Sequence, residues 1–122
     1  MRAQFTCRLS LITLALLTCL LAPVAEAAAT TLTYSDVTVP SLQSYCGVVV
    51  YAAASFTGTG SCNTDARFSI WWAPQFGSPL QKLTYVKDVT SFNQTFDLSG
   101  YFQTCVYNGG SEPIVCTLTE TY

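Results

Sequence analysis

The stretch Gly100-Tyr-Phe-Gln-Thr-Cys-Val-Tyr-Asn-Gly-Gly-Ser-Glu-Pro-Ile-Val-Cys116 decides how this chain is read. Two short runs with a strand-like pattern, ending at Tyr107 and restarting at Ile114, flank Asn108-Gly109-Gly110-Ser111-Glu112-Pro113. Asn-Gly and Gly-Gly accept the positive φ that tight turns need, so the segment reads as a turn between two strands. Folding it about its middle sets Cys105 opposite Cys116. A bridge there would close a short loop, worth about 3 kcal/mol in the chain-entropy model. Cys46 and Cys62 would then bridge across the Gly/Ser/Thr-rich segment SFTGTGSC. A second option is a bridge from Cys46 to Cys105 that pins one sheet to another. Four cysteines in a short exported chain fit two disulfides. A zinc or redox site would want close Cys pairs or His, and the chain has no C-x-x-C and no His. No metal and no cofactor is therefore expected.

Export is read from the other end. Arg2 and Arg8 precede the apolar run Leu9–Val24, and Ala25-Glu26-Ala27 offers a small-x-small exit. That is the pattern of a secretory signal peptide, residues 1–27, which also removes Cys7 and Cys19. The run is short of the roughly 20 residues a membrane span needs. Residues 28–122 are expected to form one domain, secreted or held at the cell surface, with no membrane span. A chain of this size buries only about 60–65% of its surface and gains from cross-links.

Over residues 28–122, Arg67, Lys82 and Lys87 stand against Asp36, Asp65, Asp88, Asp97, Glu112 and Glu120, three cations against six acids, for a net charge of −3. Charged residues are 10% of the full chain, where soluble domains average about 25%. Three scattered cations cannot neutralise a row of phosphates, so nucleic acid is excluded as a partner.

After the signal segment, apolar residues alternate or come in short blocks broken by Pro, Gly, Asn and Ser. This predicts strands near 31–39, 45–54, 67–73, 80–87, 92–98, 101–107 and 114–121. Seven short strands indicate a β-sandwich or a small barrel; the fold expected is an all-β, antiparallel sandwich. The alternation also assigns faces. Phe92, Gln94, Phe96 and Leu98 oppose Asn93, Thr95 and Asp97. Ile114, Cys116 and Leu118 oppose a row of Thr. VVVYAAA is apolar on both faces and is expected at the centre of a sheet.

Within this frame, GYFQTCVY resembles the late strand G-T-Y-x-V-C-A-Y of small exported bacterial proteins with immunoglobulin-like sandwiches. Gly100, Phe102, Cys105 and Tyr107 fall on that pattern, whereas Tyr101, Thr104 and Val106 depart from it. The resemblance spans eight residues. It implies an immunoglobulin-like fold and an exported location, and brings no activity. An antibody-type domain would place Tyr where Gln103 stands.

Candidate chemistry is sparse. Without His there is no Ser-His or Cys-His pair. Lys82 and Lys87 read as solvated strand charges. The acids sit mostly at strand ends and turns, not as a facing pair. Asn63-Thr64-Asp65 reads as an Asx-turn, too poor in oxygens for calcium. No enzyme is expected. In RFSIWWAPQF, Phe68, Ile70 and Trp72 share one strand face while Ser69 and Trp71 share the other. Trp71 is the expected surface residue, joined by Phe76, as a binding surface for an unknown protein or carbohydrate. Asn93-Gln94-Thr95 is an acceptor for glycosylation in a host that glycosylates exported proteins. The expected role is binding or structural, outside the cytoplasm. The alternative is a secreted effector, toxin or inhibitor acting on a foreign protein.

Overall fold

In the computed structural model of this protein, residues 28–122 are described; the signal peptide expected at 1–27 lies outside them. Seven strands form: β1 (Thr31–Val39), β2 (Ser44–Cys46), β3 (Val50–Ala52), β4 (Phe56–Ala73), β5 (Gln81–Phe96), β6 (Gly100–Tyr107) and β7 (Ile114–Thr121). No helix occurs among the described residues, and every strand pairing is antiparallel.

The 18-residue β4 organises the molecule. In its first half, Thr57–Cys62 pair with β7, and β7 pairs with β1. Its second half, Arg67–Ala73, pairs with β6, which carries β2 and β3 on its far edge. β5 follows β4 through both halves. The ladder is irregular between Ser61 and Ala66, and Asp88 on β5 takes a positive φ of 61° nearby. Bulges of this kind bend a strand and increase its twist. The product is one continuous, nearly barrel-shaped sheet rather than the two separate sheets of the expected immunoglobulin-like sandwich. At its free margins β1 approaches β2, where Tyr34 meets Tyr45 edge-on with ring centres 5.9 Å apart.

The inner faces share one apolar core. Phe56 stacks on Phe102 at 4.5 Å and Phe68 on Phe92 at 4.7 Å, each pair joining the two halves. Ile70, Val39, Val106 and Leu118 close around them. The alternation read in the sequence holds here: Phe68 and Ile70 are buried, as are Ile114, Cys116 and Leu118. Phe92 also faces the core, whereas Leu98 falls beyond β5 and is exposed.

Four expectations are corrected. The segment SFTGTGSC is strand, not a bridged loop. Gly58 and Gly60 point inward, where a Cβ would lie 2.6 Å from Thr104 Oγ1 and 2.5 Å from Phe68 Cε1. These glycines make room for core side chains at the bend, and do not turn the chain. The stretch 45–54 is not a central strand. It breaks into β2 and β3 at the edge of β6, leaving Val48 and Val49 about half exposed. The break falls at Gly47, whose N–H donates to the Thr104 carbonyl while the next N–H, of Val48, turns to the Tyr34 hydroxyl. The two strands expected at 80–87 and 92–98 are one strand, β5, continuous through the Asp88 bulge.

The fourth correction concerns the cysteines. Cys46 is joined to Cys105 and Cys62 to Cys116, not Cys46 to Cys62 and Cys105 to Cys116. Strands β6 and β7 are not neighbours, because β4 lies between them. The segment 108–113 is therefore a crossover and not a hairpin turn. Asn108 fastens it: the buried amide donates to the carbonyls of Val39 and Glu112 and accepts from the Gly110 N–H. Each disulfide links residues directly opposite on paired strands, with Cα atoms 4.1 and 4.0 Å apart. That spacing belongs to the non-hydrogen-bonded sites of an antiparallel ladder. Cys46–Cys105, the second option read in the sequence, thus occurs as a staple within one half of the sheet, not as a pin between sheets.

Candidate functional site

The outer face of β2, β6, the second half of β4 and the first half of β5 carries the candidate site. Cross-strand register sets its rows. Cys46, Cys105, Ser69 and Tyr85 lie side by side, and Gln103, Trp71 and Lys82 form the next row. Between them is a groove of about 520 Å³, lined by Trp71, Lys82, Tyr85, Gln103, Tyr107 and the Cys46–Cys105 disulfide, among others. No carboxylate lines it.

Each groove side chain is held from beneath or beside. The Trp71 indole N–H donates to Ser69 Oγ at 2.9 Å, which fixes the ring plane. Lys82 Nζ lies 4.7 Å from the Tyr85 ring centre and 5.4 Å from that of Trp71, so both aromatic faces hold the ammonium. The Gln103 amide N–H donates to the Gly47 carbonyl at 2.9 Å, leaving its oxygen as an acceptor. At the end of the face Arg67 covers Tyr107 at 5.3 Å. Strands position these groups better than loops would, and the disulfide ties β2 to β6 beneath them.

Trp71 is partly exposed on this outer face, while Trp72, on the inner side, donates its N–H to the Ser99 carbonyl. Phe76 is 85% exposed but does not line the groove. It stands edge-on to Tyr101 at 5.8 Å, and Tyr101 lies 5.0 Å from Tyr51. Trp71 and Phe76 therefore mark two adjoining aromatic patches of one face. Sequence reading missed Lys82, Tyr85, Gln103 and Tyr107. The parity of β6 could have shown Gln103 and Tyr107 opposite Phe102, Thr104 and Val106. Lys82 and Tyr85 are three residues apart, and strict alternation puts them on opposite faces. A register irregularity beside Trp71, which skips Leu83, brings them together.

Elsewhere, Asn93 is exposed on β5 opposite Thr59. Asn63 does not make the expected Asx-turn; its Oδ1 accepts the Val115 N–H across the ladder. A second cleft of about 390 Å³ is rimmed by Asp65, Asp88 and Glu112, all exposed, with Arg67 among them. No cluster of three or more metal-ligating side chains gathers among the described residues.

Glu120 is the unexpected residue. It is fully buried in the core, on the same strand face as Cys116 and Leu118. Its Oε2 accepts the Thr104 backbone N–H at 2.9 Å, and Oε1 faces the Tyr34 hydroxyl at 3.4 Å. Burial pushes its carboxyl up from 4.5 to about 7, against the pull of those two donors. Burial also raises the Tyr34 phenol.

No family model matches this chain, and no curated relative matches it. Solved structures do. The Yersinia pseudotuberculosis-derived mitogen is similar at 12% identity over 76% of this chain and 83% of its own, with a TM-score of 0.50. An Aeromonas hydrophila periplasmic inhibitor of g-type lysozyme follows at 17% identity, 78% and 86% coverage and a TM-score of 0.49. A de novo designed double-stranded β-helix has 17% identity, 77% and 99% coverage and a TM-score of 0.43. At such identities the likeness to the mitogen shows an all-β fold alone.

Proposed function

We propose that this protein is a small exported, non-catalytic binding protein that docks a protein or carbohydrate partner on the outer face around Trp71. The observation that carries this reading is the groove itself: a partly exposed Trp and two Tyr, held on paired strands over a disulfide and free of carboxylates. Aromatic groups on a rigid sheet lose little conformational entropy on binding and offer both an apolar body and a polar tip. Export is supported by the signal-like residues 1–27 and by two disulfides, which persist in oxidising compartments. The non-catalytic reading is supported by the absence of His from the sequence and of a facing acid pair in the groove; of a Ser-Lys pair, Lys82 is held on the Tyr85 and Trp71 rings and Ser69 Oγ is engaged by the Trp71 indole N–H.

A binding protein of this kind stays with the envelope or matrix of the cells that make it. Trp71→Ala is expected to release most of the retained fraction into the medium while the variant remains folded with both disulfides formed. Equal retention of the variant and the parent would overturn the reading. The effector or inhibitor alternative would show instead as free protein acting on foreign cells.

A further inference from the structure

We infer that the ligand of the Trp71 groove is a saccharide bearing a carboxylate; the inference rests on the binding role proposed above and names its ligand. Three observations combine. The first is charge. Residues 28–122 carry a net −3, yet no acid lines this groove and Lys82 does. The acids stand elsewhere: Asp65, Asp88 and Glu112 at the second cleft, Asp36 on β1, Asp97 just past the end of β5, and Glu120 in the core. Lys82 is exposed and is placed by two aromatic faces rather than by a carboxylate. Aromatic faces orient an ammonium without neutralising it, so its charge remains available to an anion.

The second observation is the kind of polar group. Hydroxyl and amide groups of Ser44, Ser69, Tyr85, Tyr107 and Gln103 line the same groove as Lys82, with acceptors and donors in both roles. A polyhydroxylated ring needs that mixture, whereas protein interfaces are depleted in Ser and Lys. The flat Trp71 ring, fixed by Ser69, suits the C–H face of a pyranose. The third is size. A groove of about 520 Å³ lies within the range of small-ligand sites and is bounded by side chains on four strands. A protein partner would instead need about 800 Å² of matched surface. An acidic peptide would satisfy Lys82 but leave the ring of hydroxyls and amides without its use.

The test titrates the purified domain, residues 28–122 with both disulfides formed, by indole fluorescence and backbone amide shifts. The probes are a trimer of galacturonate, a neutral trimer of galactose and a penta-aspartate peptide. Galacturonate is expected to bind at low salt about tenfold more tightly than galactose, as one charge-assisted hydrogen bond allows. Lys82→Gln should bring the two sugars to equal affinity, and Trp71→Phe or Trp71→Ala should weaken both. Lys82 is exposed, so its variant keeps the fold, and amide shifts confined to residues around 69–71 and 103–107 locate the site. Equal binding of both sugars by the parent, or tighter binding of penta-aspartate, would overturn the acidic-saccharide assignment and leave the docking face standing. Binding by none of the three, with cell retention still lost in Trp71→Ala, would also overturn the assignment alone. Binding by none, with retention unchanged in that variant, would remove both.

Discussion

Glu120 shows how much one residue can hold. A carboxyl in the core costs least when it is neutral, and Thr104 and Tyr34 supply too little to stabilise the anion fully. Exposed, the group titrates near 4.5; in the fold it titrates at about 7. Over that window the native chain binds more protons than the unfolded one, so stability falls as pH rises from about 4.5 to about 7. The loss totals about 3 kcal/mol and levels off above. Urea midpoints of the oxidised protein taken between about pH 4 and about pH 8 should show this slope. Glu120→Gln, which still accepts the Thr104 N–H, should flatten it and be the more stable form at the alkaline end. A flat parent curve would refute the assignment. Gly60 is a second residue on which the fold turns. A Cβ there would sit 2.5 Å from Phe68 Cε1 and 3.0 Å from Leu118 Cδ2. Gly60→Ala should cost about 1–3 kcal/mol by overpacking, read as a lowered thermal midpoint.

The strands depend on neighbours that local sequence does not name. β4 could be read only from Arg67 onward, because its first half is rich in Gly, Ser and Thr. What makes that half a strand is its pairing on both sides, with β5 and with β7. β2 and β3 illustrate the converse. The run Val48–Val50 promises a central strand, yet the chain leaves the β6 ladder after Gly47, and the Val48 N–H bonds the Tyr34 hydroxyl instead. The disulfides belong to this scale as well. Each spans a long loop, with sequence separations of 59 and 54. The chain-entropy model assigns about 4 kcal/mol to a loop of that length, against about 3 for the short loop first expected. Peptide mapping without reduction should return Cys46–Cys105 and Cys62–Cys116. Replacing both Cys62 and Cys116 by Ala should lower stability by a few kcal/mol; a Cys105–Cys116 peptide would mean that β6 and β7 pair directly, contrary to the topology.

At the scale of the whole molecule, one long bent hairpin, β4–β5, carries both halves of the sheet and so closes them over a shared core. The same arrangement leaves the outer face of β6, β4 and β5 open, and there the Trp71 groove forms. Sequence alone determined that the chain is all-β and antiparallel in pattern, since alternation is a local property of each strand. It also determined that Phe68 and Ile70 face in while Trp71 faces out, and that four cysteines are available for two links. Tertiary structure decided the rest. Which strands are neighbours is a non-local choice, and cysteine pairing follows from it: β4 inserts between β6 and β7 and separates Cys105 from Cys116. The shift in register beside Trp71 is equally non-local, and it alone puts Lys82 and Tyr85 on one face. Parity could have placed Glu120 with Cys116 and Leu118, but only the closure of β1 and β6 over β7 seals its carboxyl from water. Alternation is written in each strand's own residues; adjacency is settled only when the whole sheet curls around its core.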